Sequence, residues 1–175
     1  MRASREAESL GSEVDYAHAV FRAGNPREGT AVIESKVSAR IRRHEVMERE
    51  APPLLWVVLH EAALRTYVGG PHVMAQQLEH LAREAESPHI TIQVLPLEAG
   101  APATGTAFTL LTFEDSPTVL HTEGPQGGRP YENAKTVATA VGTYDRLRAH
   151  ALSPDESIAY INRLRQGMSK ERTYA

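Results

Sequence analysis

Apolar side chains along this chain recur in two different periods, and the switches between them mark the elements. Between Pro26 and Glu50, the residues Ile33, Val37, Ile41 and Val46 fall at helical spacing, while Arg40, Arg42, Arg43 and Glu45 lie off that stripe. An amphipathic helix is expected there, with a shorter one before it over Glu13 to Ala23. Gly24-Asn25-Pro26 separates the two, with Asn25 the expected cap and Pro26 the first residue of the second helix. Ala51-Pro52-Pro53 stops that helix, and Leu54 to Leu59 is an apolar run of strand length. Gly69-Gly70-Pro71 opens another helix, with Val73, Met74, Leu78 and Leu81 on one face and Pro88 beyond its end. His89 to Leu95 is rich in β-branched residues and predicts a second strand. Thr106 to Phe113 and Thr118 to Glu123 read as a hairpin through Glu114-Asp115-Ser116-Pro117. Helices over Tyr131 to Ala149 and Pro154 to Arg165 follow, the last opened by a capping box of Ser153 and Glu156.

This order predicts a single α+β domain over residues 13–165, with a helical part at 13–50 and a sheet-containing part at 54–165. Residues 1–12 are expected to form a disordered or short extension and 166–175 a frayed tail. The four strands are expected in one four-stranded, mixed or mostly antiparallel sheet with helices packed mainly on one face. The other face must then meet something. Alternation puts Trp56, Val58 and His60 on one side of the first strand, and Thr91 and Gln93 on one side of the second. Val119, His121 and Glu123 share a side of the last. A half-apolar concavity carrying a few polar groups suits a small hydrophobic molecule. Its expected lining is Trp56, Val58, Thr91, Gln93, Phe108, Leu110 and Val119, or the set on the alternate face.

Charge and composition narrow the chemistry. A net charge of -3 argues against direct DNA binding, which needs a basic surface, and Arg40, Arg42 and Arg43 read as a solvated helix face. The chain has no cysteine, which excludes disulfides, thiolate catalysis and cysteine-ligated zinc. No apolar run reaches the ~20 residues of a membrane span and the polar N-terminus is unlike a signal peptide, so a cytoplasmic location is expected. His72 and His80, eight residues apart on one helix, lie roughly 12 Å apart. That is too far for one zinc ion with bonds of about 2 Å, and no metal or cofactor is expected. Gly124-Pro125-Gln126-Gly127-Gly128-Arg129 lacks the Gly-Lys-Ser/Thr ending of a phosphate-binding loop and is expected to be a flexible loop or lid. For acid–base chemistry the candidates are His60, Glu61, His121 and Glu123, with Tyr131 as a further donor. Against them stands the plainer reading that these are solvated strand ends.

Leu54-Leu55-Trp56-Val57-Val58-Leu59-His60-Glu61-Ala62-Ala63-Leu64, Val68-Gly69-Gly70-Pro71-His72-Val73-Met74, Ile90-Thr91-Ile92-Gln93-Val94-Leu95-Pro96-Leu97 and Thr118-Val119-Leu120-His121-Thr122-Glu123-Gly124 follow one another in an order with a family likeness. With Tyr16-Ala17-His18-Ala19-Val20 and Ala23-Gly24 ahead of them, this stretch resembles the C-terminal domain of actinobacterial XRE-type helix-turn-helix regulators of the WhiJ-like group. His60 stands where that family often shows Asp, Pro102 where it shows His, and Leu10 to Val14 replace a proline- and leucine-rich segment. No helix-turn-helix is readable in the chain. The resemblance implies an effector domain that binds a hydrophobic metabolite or a small adjacent-encoded protein; apart from the resemblance, a homodimer is one assembly open to the chain. The alternative is a cofactor-independent enzyme of secondary metabolism, a cyclase or isomerase working by shape and acid–base groups in the same pocket.

Overall fold

The computed structural model describes residues 2–100, 106–124 and 127–171. The chain divides into two compact units, one of Met1–Val94 with Ser153–Ala175, the other of Leu95–Leu152.

The first unit is mainly helical. Helix α1 (Arg2–Gly24) packs on α2 (Thr30–Arg42), and Ala17, Ile33 and Val37 are buried where they meet, flanked by Val14, Phe21 and Ile41. These are the helical stripes of the sequence brought face to face. The second helix begins later than expected, at Thr30. Asn25 does not cap it: the Asn25 N–H and Nδ2 both donate to the Phe21 carbonyl, closing α1 instead. A 3-10 turn over Arg43–Glu48 ends α2. Strand β1 (Leu55–His60) then leads through the short helix α3 (Glu61–Arg65) and helix α4 (Pro71–Glu84) to strand β2 (Ile90–Leu95). β1 and β2 pair in parallel as a two-stranded sheet, the helices between them providing the crossover that parallel pairing requires. A Cβ on Gly69 (φ +70°) would meet Ala19 Cβ of α1 at 2.9 Å, so this turn before α4 admits glycine on both conformational and steric grounds. Helix α6 (Pro154–Glu171) packs along α4, burying Ile161 and Met168. Its capping box is formed: the Glu156 N–H donates to Ser153 Oγ at 3.3 Å, and the Ser153 N–H donates to Glu156 Oε2 at 3.0 Å.

The second unit holds an antiparallel sheet in the order β3-β4-β5, made of β3 (Phe108–Leu111), β4 (Val119–Gly124) and β5 (Gly127–Tyr131), with helix α5 (Ala134–His150) packed on β4. The expected β3–β4 hairpin is present, with Phe108 opposite Thr122 and Leu111 opposite Val119. The single four-stranded sheet is not. Central strand β4 takes its second neighbour from Gly127–Tyr131, part of which was expected to be a loop and whose last residue was expected to start a helix. Hydropathy does not announce this strand because Gly-Gly-Arg-Pro-Tyr carries no apolar alternation. Its role is visible in the contacts. A Cβ on Gly128 would overlap the His121 ring, and Pro130, which lacks an N–H, sits in an outer strand where that loss is tolerated.

Candidate functional site

Register decides which side chains of the second unit meet α5. Residues directly opposite in an antiparallel pair share a face, so Phe108, Leu110, Leu120 and Thr122 lie together, and Tyr131 joins them from β5. Thr109, Val119 and His121 take the other face. Between the first face and α5 lies a cavity of about 440 Å³, within the ordinary range of small-molecule pockets. Phe108, Leu120 and Thr122 line it from the sheet, Thr106 from the segment before β3, and Lys135, Thr136, Thr139, Ala140 and Thr143 from α5. The helical contributors recur at the i, i+3, i+4, i+7 spacing of one helix face.

Asn133 caps α5, its Oδ1 accepting from the N–H groups of Lys135 and Thr136 at 3.1 and 3.2 Å. The threonine hydroxyls are less available to a ligand than their number suggests. Thr139 Oγ1 donates to the Lys135 carbonyl at 2.9 Å and Thr143 Oγ1 to the Thr139 carbonyl at 3.0 Å, the i−4 back-bonding of helical threonine. Thr143 Oγ1 also accepts from Arg146 Nη2 at 3.2 Å. With those protons engaged inside the helix, the wall is predominantly apolar.

Ionisable groups in the first unit are tied to one another. Glu61, only 2% exposed, accepts a short hydrogen bond from Tyr160 Oη of α6 and an ion-paired one from Arg65 Nε one turn along α3. Arg65 Nη2 donates to Tyr160 Oη at 2.8 Å, closing a ring of three side chains. Burial and the neighbouring carboxylate raise the Tyr160 phenol above its usual range, and hydrogen bonding to Glu61 and then Tyr160 raises the Arg65 guanidinium. A second cluster joins Glu13 of α1, His44, and His80 and Glu84 of α4. His80 Nε2 lies 4.0 Å from Glu13 Oε2 and its Nδ1 3.9 Å from Glu84 Oε1, while His44 Nε2 is 3.8 Å from Glu84 Oε2. Burial, then His44 and Arg83, push the His80 imidazole down to about 4, and burial raises the Glu84 carboxyl. Among the described residues no group of three or more His, Asp or Glu side chains is arranged to hold a metal ion.

In comparison with protein families, residues 14–163 match the family described as Domain of unknown function (DUF5753). The chain belongs to the DUF5753 family. Comparisons with curated proteins and with solved structures return no match. No helix among the described residues of this DUF5753 chain is long and apolar enough to cross a membrane.

The residues singled out from sequence are dispersed across this DUF5753 fold. Phe108 lines the cavity, and Leu110 shares its face of β3 without being among the lining residues. Val119 lies on the opposite face, and the alternate-face residues Leu120 and Thr122 take the place expected for it. Trp56, Val58, Thr91 and Gln93 belong to the two-stranded sheet of the first unit. There Trp56 Nε1 donates to the buried Gln93 Oε1 at 2.8 Å, a cross-strand tie. His60 caps α3, its Nδ1 accepting from the Ala62 N–H at 3.3 Å. His60 and Glu61 belong to the first unit, and His121 and Glu123 lie on the face of β4 turned away from the cavity. Tyr131 lies on the cavity face at the end of β5 but is not among the lining residues. Lys135 and the α5 threonines were not recognised from sequence. Their signal is the small-residue stripe Thr136, Thr139, Ala140, Thr143, which hydropathy alone scores as indifferent.

Proposed function

We propose that this DUF5753 domain is a ligand-binding module that takes a small hydrophobic molecule between α5 and the β3–β5 sheet. The observation that supports it best is the cavity of about 440 Å³ with its apolar wall of Phe108, Leu120, Ala140 and back-bonded threonines. An open pocket of this size with an apolar wall and a few polar groups has the ordinary form of a small-molecule site. Membership of the family fits an effector domain like that of XRE-type, WhiJ-like regulators, in which ligand occupancy would be read by a protein partner.

The enzyme reading draws less support from this geometry. General acid–base catalysis needs a group within hydrogen-bond reach of the reacting atoms, and the cavity lining contains no imidazole or carboxylate among the described residues. Lys135 is its one ionisable member there.

A titration with neutral and anionic arylalkyl compounds, followed by backbone NMR, tests the binding reading. Saturable shifts are expected at Phe108, Leu120, Thr122, Thr139 and Thr143. They should disappear in Ala140→Trp, which fills the space, while circular dichroism remains unchanged. Failure of the whole panel to bind the wild-type chain would exclude the pocket as a ligand site.

A further inference from the structure

Lys135 gives the cavity a polarity that its apolar wall lacks. The side chain lines the cavity from the first turn of α5, is exposed, and has no hydrogen-bond or ion-pair partner among the described residues. The backbone amides of that helix end are not the site, because Asn133 Oδ1 already takes the N–H groups of Lys135 and Thr136. The Thr139 and Thr143 hydroxyl protons are held by helix carbonyls, and Thr136 Oγ1 lies 3.4 Å from Asn133 Oδ1. A ligand rich in hydroxyls would therefore meet few free donors along α5. A ligand with one anionic end would meet an ammonium at the rim and hydrocarbon beyond it.

We propose that the ligand is an amphiphilic carboxylic acid, its apolar body seated on Phe108, Leu120 and Ala140 and its carboxylate paired with Lys135. This rests on the binding reading above and sharpens it to a chemical class. The volume supports a modest size: about 440 Å³ lies toward the lower end of small-molecule pockets, enough for a medium-length alkyl or arylalkyl acid. Lysine suits such a head group because its compact charge accepts a carboxylate from several directions, without the planar register that arginine imposes.

Calorimetric titration of the full chain with phenylbutyrate and with phenylbutanol separates charge from burial. Lys135→Met keeps an apolar stem of similar length and removes the charge, and Lys135→Arg retains the charge. Lys135→Met is expected to weaken phenylbutyrate by about 3–5-fold, the size of a solvent-exposed ion pair, and to leave phenylbutanol unchanged. Lys135→Arg should keep the acid's affinity, and the wild-type advantage for the acid should shrink as salt is added. An equal loss for both compounds, or no loss for the acid, would overturn the carboxylate assignment while leaving the pocket in place. Absence of binding by either compound to the wild-type chain would overturn both readings together.

Discussion

In the first unit Ile33, Met74, Leu78, Val94 and Ile161 are buried almost completely from α2, α4, β2 and α6. Of the polar groups it buries, Glu61 is matched by Tyr160 and Arg65 and the Val94 N–H by Ser157 Oγ at 2.9 Å, whereas Gln77 Oε1 has no hydrogen-bond partner among the described residues. In the second unit Leu95, Leu120, Val137 and Thr143 are buried, but sheet and helix leave about 440 Å³ between them. The first unit thus ties Glu61, Arg65 and Tyr160, and His80 with its carboxylate neighbours, between its helices. The second keeps a space lined by Phe108, Leu120 and the threonine face of α5, with Lys135 at its rim without a partner among the described residues. Chemistry-bearing residue types are therefore a poor guide to the site here. The buried carboxylate and imidazoles stand where packing is dense, and the cavity is built largely from threonine, alanine and phenylalanine.

Core truncation should separate the units most strongly. Leu78→Ala removes a fully buried side chain from α4, and a loss of about 2–5 kcal/mol is expected in denaturant unfolding. A loss under about 1 kcal/mol would mean that the first unit is no better packed than the second.

The next largest effect is on pH. The His80 imidazole is held down at about 4 against its ordinary 6.5, so the folded chain keeps it neutral while the unfolded chain protonates. Its contribution is present above about pH 6.5 and is lost as the pH falls toward 4, on the order of 3 kcal/mol in all. Glu84 acts in the opposite sense, because a raised carboxyl pKa favours the folded state as the pH falls toward the ordinary carboxylate value. Thermal melts should show wild-type stability declining between pH 6.5 and 4, His80→Gln flattening that decline and Glu84→Gln steepening it. Parallel curves for wild type and His80→Gln would remove the buried imidazole from the account.

The smallest effect concerns the cavity itself. Adding methylenes to a close-packed core costs about 1–3 kcal/mol, whereas filling real space gains apolar burial. Ala140→Leu should therefore leave stability unchanged or raise it by up to about 1 kcal/mol, while lowering affinity for any ligand. Destabilisation typical of overpacking would show that the second unit is as full as the first.

Much of this architecture was legible in the residues. The stripe of Ile33, Val37 and Ile41, the β-branched run Ile90 to Val94, the β3–β4 hairpin and the Ser153–Glu156 capping box are local patterns, and each formed within a few residues of its expected place. The same patterns marked Phe108 as a lining residue. They could not say which strands would pair. Four strands with similar apolar character suggest one sheet, but β1 pairs with β2 alone and β4 lies between β3 and Gly127–Tyr131, which makes two.

What the sequence determined by itself is set by near neighbours: helix and strand periods, caps, the exclusion of thiol chemistry by the lack of cysteine, and a motif order with which membership of the DUF5753 family is consistent. Tertiary structure alone decided the rest. It put Glu61 and Tyr160 in contact across 99 positions, placed His121 over Gly128 and away from the cavity, and turned the threonine face of α5 toward Phe108 and Leu120. The reason is physical. Local preference is read from residues a turn or a strand apart, but strand partners and cavities depend on contacts between distant segments. For those contacts, glycine and threonine carry almost no hydropathic signal.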